Sequence, residues 1–256
     1  MIDTHAHINH QKLDGMFDEI INSLENKKLE AIICPSYDNA SSISSLELSQ
    51  KYANIFSALA IHPSETKDYS LEFEKFLKEN LKNSKVVALG EYGLDYHFEP
   101  YSKQEQAEVF LSQLKIAKEE KIASIFHVRD AFDDFIPMLK ENLNGFCGGV
   151  VHCYDSNLQN AKKLLDMGLY ISFTGIITFK GRDELREVLK YVPNDRFMLE
   201  TDSPYLAPVP FRGQVCTPMM VEEVFKLCAE IKNMSFVELE DITRENAKKC
   251  FKKLVI

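Results

Sequence analysis

Six short apolar runs in this chain each stop on a residue able to bind a metal ion or move a proton. Met1-Ile2 leads into Asp3-Thr4-His5-Ala6-His7, residues 55–61 into His62, 86–90 into Glu91, 122–126 into His127, 149–151 into His152, and 197–201 into Asp202. Most of these runs are β-branched or aliphatic, the composition of strands buried on both faces. Two more, 31–34 and 169–173, complete the set. Segments with helical periodicity separate them: 14–27, 41–51, 71–81, 103–120, 131–142, 158–167, 183–191 and 218–232, with 235–253 left over. Alternation of this kind implies parallel βα units. The expected fold is therefore an α/β (β/α)8 TIM barrel, a single domain over 1–256 with a C-terminal helical extension.

At 256 residues, 45% of them apolar, the chain can bury the core that such a barrel needs. No Pro/Gly/Ser-rich linker, internal repeat or low-complexity tract divides it. No stretch approaches the roughly 20 apolar residues of a membrane span, and the first strand opens without a signal segment before it. A cytoplasmic location without membrane association is the expectation. The six cysteines (Cys34, Cys147, Cys153, Cys216, Cys228 and Cys250) form no CxxC pair and read as unpaired thiols in a reducing compartment. A net charge of −9 argues against a broad nucleic-acid surface. It is compatible with gripping one or two phosphates at a metal site.

In a barrel of this kind the C-terminal ends of the strands form the active face, so residues scattered from His5 to Asp202 meet at one mouth. His5 and His7 share a face of their strand, because alternate residues point the same way. Glu91 has two carboxylate oxygens and can bridge a pair of ions. One ion is assigned to His5, His7, Glu91 and Asp202, and a second to Glu91, His127 and His152. Two divalent ions about 3.5–4 Å apart polarise a substrate oxygen and acidify a bound water. Asp202 is placed to take that water's proton as a general base.

His62 has no ion assigned. It is expected to hydrogen-bond a substrate phosphate or to protonate the leaving oxygen, with packing of its loop as the alternative. Arg129, Lys180, Arg182 and Arg212 follow strand ends. Of these, Arg129 and Arg212 are the expected phosphate contacts, because a guanidinium matches phosphate oxygens bidentately. Tyr92, Tyr96 and Tyr205 are candidate stacking surfaces for bases. His10 reads as a loop residue and His97 as a rim contact. A mixed imidazole and carboxylate ligand set leaves magnesium, manganese and zinc all open.

The order and context of these pieces resemble the TatD family of metal-dependent deoxyribonucleases, within the amidohydrolase-like barrels. Matching stretches are Asp3-Thr4-His5-Ala6-His7, Ala60-Ile61-His62-Pro63, Gly90-Glu91-Tyr92-Gly93-Leu94-Asp95-Tyr96 and Phe126-His127-Val128-Arg129-Asp130-Ala131. Further along come His152-Cys153-Tyr154, Ser172-Phe173-Thr174-Gly175, Glu200-Thr201-Asp202-Ser203-Pro204-Tyr205-Leu206 and Thr243-Arg244-Glu245-Asn246-Ala247. The resemblance implies two divalent ions held by His5, His7, Glu91, His127, His152 and Asp202, with His62 handling phosphate. It also implies hydrolysis of DNA phosphodiesters, commonly from the 3′ end, with RNA in some members. Related amidohydrolases often bridge their metals with a modified lysine, and here Glu91 stands at that strand end. One departure concerns the rim: where the family commonly has Asn-Glu-Pro after Arg-Gly, this chain has Gln214-Val215-Cys216-Thr217-Pro218.

The leading expectation is a two-metal nuclease acting on single-stranded or frayed DNA ends, with no stable protein partner. A metal hydrolase for an aminoacyl-tRNA ester, an amide or a lactone is the alternative on the same barrel. A non-catalytic binding barrel is a third reading.

Overall fold

The computed structural model describes residues 1–97, 100 and 102–256. Eight strands pair in chain order, each parallel to the next: β1 (Ile2–Asp3), β2 (Ala31–Pro35), β3 (Ile55–Leu59), β4 (Val86–Asp95), β5 (Ala123–Arg129), β6 (Gly149–Val151), β7 (Tyr170–Phe173) and β8 (Phe197–Leu199). Between them run α1 (Phe17–Glu25), α2 (Asn39–Lys51), α3 (Leu71–Asn80), α4 (Lys103–Glu119), α5 (Phe132–Glu141), α6 (Leu158–Asp166) and α7 (Asp183–Tyr191), followed by α8 (Val221–Lys232) and α9 (Phe236–Cys250). The ends of the sheet meet just past the strands. Asp202 N–H donates to His5 O at 2.9 Å and His7 N–H to Ser203 O at 2.8 Å, and Ala6 bridges Ser203. The expected (β/α)8 barrel is formed. Among the described residues no helix is long and apolar enough to cross a membrane.

Strand alternation sorts the apolar side chains into two layers. Every strand contributes to an interior cluster that includes Ile2, Ile33, Phe56, Val87, Ile125, Val150, Tyr170 and Met198. The opposite faces, among them Ile32, Leu89, Phe126 and Phe173, pack against helix residues such as Phe110, Phe135 and Phe225. The C-terminal extension has a definite place. Ala247 and Cys250 of α9, with Phe251 and Leu254 after it, belong to the interior cluster. Asn246 Nδ2 donates to Asn194 O and Phe197 O at 2.8 Å each, and Lys253 Nζ to Asn83 O at 3.3 Å. These partners precede or open strands, so α9 lies across the N-terminal end of the barrel and closes it. Arg244 adds an ion pair, with Nε donating to Glu30 Oε2 at 2.7 Å just before β2.

Two local features shape the opposite end. In β4, Gly90 pairs with Ile125 and Tyr92 with Phe126, which leaves Glu91 as an extra residue in the ladder. Such a bulge re-aims side chains. Glycines flank it because the neighbouring strand is too close for a Cβ. One on Gly90 would lie 2.5 Å from Ile125 Cβ, and one on Gly93 (φ +154°) would collide with His127 O. The bulge also turns Tyr92 outward. It is fully buried beside Phe110, with its hydroxyl 2.8 Å from Ser124 Oγ, so the expectation of a base-stacking Tyr92 is corrected.

The second feature is the seat of α2. Its buried face is serine (Ser41, Ser42, Ser45 and Ser49), and Asp38 caps it reciprocally with Ser41. The small side chains let the helix approach closely, and their hydroxyls bond outward. Ser45 Oγ donates to Cys34 O at 2.6 Å and Ser42 Oγ to Ser36 Oγ at 2.7 Å. Ser36 Oγ in turn donates to Ala60 O at 3.0 Å and accepts from Ala60 N–H at 2.8 Å. That hydroxyl has its full complement of one donor and two acceptor bonds. The carbonyl of Ser36 accepts the Glu91 N–H at 3.0 Å, so the serine seat also anchors the bulge.

Replacing Ser36 by alanine strands buried partners, so Ser36→Ala is expected to cost about 1–3 kcal/mol, read as a lower urea midpoint at unchanged slope. For Glu30, hydrogen bonding to Arg244 holds the carboxyl below its ordinary 4.5. Its contribution is present above that pH and lost as pH falls through the depressed value. The Tm difference between the wild type and Glu30→Gln should therefore be largest near neutrality and shrink in acid.

Candidate metal centre and active site

The interior faces of β1, β4, β5, β6 and β8 end in a polar layer at the C-terminal mouth. Ala123 and Ile125 of β5 belong to the barrel interior, and His127 continues the same face. Val150 leads in the same way to His152, and Met198 to Glu200 and Asp202. In β1 the chain bends at Thr4. Asp3 holds the bend by accepting from His5 N–H (3.2 Å), Thr201 N–H (3.0 Å) and Thr201 Oγ1 (2.6 Å). Burial raises the Asp3 carboxyl to about 8 against these hydrogen bonds. Asp202 takes a left-handed backbone at φ +60°, and Cys153 after His152 does so at φ +45°. Non-glycine residues in this region cost about 1–3 kcal/mol and persist where surrounding bonds over-determine them.

Glu91, 4% exposed, lies at the centre of the layer. Its Oε1 is 3.2 Å from His7 Nε2. Its Oε2 is 2.7 Å from His152 Nε2, 3.5 Å from His127 Nδ1 and 3.6 Å from His5 Nε2. Asp202 Oδ1 is 3.5 Å from His7 Nε2 and 3.7 Å from His5 Nε2. Ligand atoms of His5, His7 and Asp202 all lie within 4.8 Å of one another, and so do those of Glu91, His127 and His152. The six residues expected from the sequence to bind metal thus come together, with Glu91 touching both groups.

The bonding within this layer is informative. Both ring nitrogens of His5, 0% exposed, lack any hydrogen-bond partner, as does Glu91 Oε2 despite the nitrogens around it. Buried polar atoms are almost always paired. Nitrogens that crowd a carboxylate oxygen without donating to it suit a shared cation, and imidazole with carboxylate is a donor set that divalent transition ions accept. These residues fit a metal centre.

The electrostatics follow from burial opposed by charge. Burial pulls the His5 imidazole below 6.5, assisted by His152. Burial acts the same way on His7, His127 and His152, but the carboxylates outweigh it. Asp202 and Glu91 hold His7 well above its ordinary value, Asp95 and Glu91 raise His127, and Glu91 with Glu200 lifts His152 to about 10. The imidazoles in turn hold Glu91 well below the usual carboxylate range, against its burial.

Around the centre, His62 is half-buried and caps the turn Pro63–Asp68, its Nδ1 accepting Ser64 N–H at 3.1 Å. Its ring meets that of His127 edge-on at 4.2 Å. Tyr205, 44% exposed, has its ring 6.4 Å from His7 and 5.8 Å from His10, with the Lys12 ammonium 5.2 Å away. The Arg212 guanidinium stacks on Phe179 at 3.6 Å. Arg129 is exposed at the end of β5, and half-buried Tyr96 carries Lys103 over its ring at 4.3 Å. Arg182 pairs with Asp155 at 2.6 Å, and His97 with Asp130 at 2.7 Å. At the altered rim loop, Cys216 is buried and its N–H donates to Pro204 O at 3.1 Å.

Two carboxylates missing from the sequence-derived set stand behind the histidines. Asp95 Oδ2 accepts from His127 Nε2 at 2.9 Å. Glu200 Oε1 accepts from Cys153 N–H at 2.8 Å and faces His152 Nδ1 at 3.5 Å. Both sit in motifs visible in the sequence, Gly-Leu-Asp-Tyr and Glu-Thr-Asp. An acid at a strand end, two residues before a second acid, was the available signal for Glu200.

Comparison with known proteins agrees with this architecture. The sequence profile of the family described as "TatD related DNase" matches residues 2–252. The chain is 39% identical to the uncharacterized metal-dependent hydrolase YabD of Bacillus subtilis (strain 168), covering 98% of this chain and 99% of the relative. It is 35% identical to the uncharacterized metal-dependent hydrolase YcfH of Escherichia coli (strain K12), covering 98% and 95% respectively. Among solved structures, the TatD homolog YjjV of Escherichia coli K12 superposes with a TM-score of 0.92 at 28% identity, covering 98% of each chain. With a profile matched from end to end, relatives aligned over nearly their full length and a shared barrel, the chain belongs to the TatD-related DNase family.

Proposed function

We propose that this TatD-family metal-dependent hydrolase cleaves phosphodiester bonds at the ends of single-stranded DNA, with release from the 3′ end. The observation that carries the reading is Glu91, a single buried carboxylate touching both ligand groups. It is what a pair of cations needs between them. Charge supports the count. Four carboxylates, Glu91, Asp95, Glu200 and Asp202, stand against the imidazole cluster, a supply of negative charge that suits two divalent cations. Bound there, such cations supply Lewis acidity toward a phosphoryl oxygen and lower the pKa of a water.

The chain's own residues divide the remaining work. Asp202 Oδ1, beside both His5 and His7, accepts a proton from the attacking water. His62 serves as a neutral donor. Burial and the neighbouring His127 press its pKa down to about 3, and with Nδ1 accepting from Ser64 its proton resides on Nε2. It hydrogen-bonds a phosphate oxygen and does not deliver a proton to the leaving group. Tyr205 offers a stacking face, and Lys12, Arg212 and Arg129 give the rim its cations. Net charge of −9 favours a chain end over a long duplex, with RNA ends as the nearest alternative substrate. Magnesium, manganese or zinc all suit the donors, and a cytoplasmic, membrane-free enzyme without a stable protein partner completes the reading.

The test is release of mononucleotides from a 3′-labelled single-stranded oligonucleotide with and without magnesium or manganese. Metal-dependent release lost in Glu91→Ala is expected. No release from folded, metal-loaded protein would discard the nuclease reading and move the search to ester and amide substrates. A second prediction concerns protons. Metal loading must strip them from imidazoles whose pKa is raised, so affinity should rise with pH, with proton release visible by calorimetry in buffers of different ionisation enthalpy. Without metal the sign reverses. The His152–Glu91 attraction is fully present below His152's ordinary 6.5 and is lost as pH rises through about 10. Tm of the metal-free protein should fall over that window while the gain from added metal grows.

A further inference from the structure

The two histidines of the second ligand group share a feature that the first group lacks. His127 turns Nδ1 toward Glu91 and His152, and its opposite nitrogen, Nε2, donates to Asp95 Oδ2 at 2.9 Å. His152 turns Nε2 toward Glu91 and His127, and its opposite nitrogen, Nδ1, faces Glu200 Oε1 at 3.5 Å. That Nδ1 is buried and has no hydrogen-bond partner among the described residues. In the first group, among the described residues, His7 Nδ1 meets the carbonyl of Pro35 at 3.2 Å and His5 Nδ1 has no hydrogen-bond partner.

Both carboxylates are themselves held. Asp95 Oδ1 accepts His97 N–H at 2.8 Å, while Gln106 Oε1 accepts Asp95 N–H at 2.8 Å and its Nε2 donates to Asp95 O at 2.7 Å. Glu200, 1% exposed, accepts Cys153 N–H on Oε1 and Thr4 Oγ1–H on Oε2 at 3.3 Å. A buried carboxylate with so few donors has a vacant lone pair for an imidazole N–H. A neutral imidazole carries one proton on its ring nitrogens. Whichever nitrogen keeps it, the other presents the lone pair.

We propose that Asp95 and Glu200 are positioning residues for the second ion. Asp95 holds the His127 proton on Nε2 and Glu200 holds the His152 proton on Nδ1, so that the lone pairs of His127 Nδ1 and His152 Nε2 both face Glu91. Neither carboxylate touches the ion or the substrate. Each fixes a tautomer and a ring plane and raises the basicity of its imidazole, the role that outer carboxylates play at metal-bound histidine. The proposal rests on the two-ion reading of the site and is independent of DNA as the substrate.

Asp95→Asn and Glu200→Gln keep shape and remove charge. The measurement is metal content and affinity, by titrating zinc or manganese into chelator-stripped protein, beside the Tm of the stripped protein. Histidine ring ¹⁵N spectra of the zinc-loaded protein report which ring nitrogen keeps its proton. Each variant is expected to bind one ion as the wild type does and the other 10–100-fold more weakly. The His127 or His152 tautomer should shift, with a folded Tm retained. Wild-type affinity for both ions, with unchanged tautomers, in either folded variant would overturn the role of that carboxylate. So would weakened binding of both ions accompanied by a collapsed Tm in both variants, which marks a merely structural part. Loss of the nuclease assay alone, with metal binding intact, would count against the substrate assignment and not against this pair.

Discussion

A carboxylate buried among imidazoles is the constraint to which the rest of the molecule is fitted. Alone in the interior, Glu91 would take a proton and lose its charge. It stays ionised because His152, His5, His127 and His7 surround it. The four imidazoles come from three separate strand ends, and only a closed parallel barrel presents those ends as one ring. The bulge that turns Glu91 inward, the glycines that give it room and the serine seat that holds Ser36 against its N–H all serve that placement. Without metal the layer stores protons where cations would sit, so it is pre-shaped by the charge it is built to exchange.

The fold was legible because alternation of strand and helix patterns is a whole-chain signal, and a strand buried on both faces has few rivals as an explanation for runs such as 31–34 or 169–173. The polar layer at the mouth was legible for a related reason: a strand end is a fixed place, so His62, His127 and His152 could be set there without knowing any contact. Asp95 was not, because a reading that stops a strand at its first charged residue ends β4 at Glu91, whereas the strand runs on to pair Asp95 with Arg129. Glu200 was hidden by its neighbour Asp202, which took the available role. Tyr92 was misread because one extra residue in a ladder reverses the face of everything after it, and nothing in the local composition announces a bulge. Rim contacts of Arg129, Arg212, Tyr96 and Tyr205 depend on loop paths, which periodicity does not encode.

Two kinds of cohesion divide the molecule. Most helices are seated by apolar surface, which tolerates sliding and repacking. The α2 seat is made of directed hydroxyl bonds (Ser42 to Ser36, Ser45 to Cys34) that permit one register only. The stiff seam stands directly behind Glu91, and the more forgiving packing lies elsewhere.

The closed lower end has its own consequence. The interior is filled by side chains from every strand, and α9 with Phe251 and Leu254 seals it from below. Nothing can thread this barrel. A molecule presented to the mouth enters and leaves by the same doorway, so an incoming ligand and a departing one compete for a single opening.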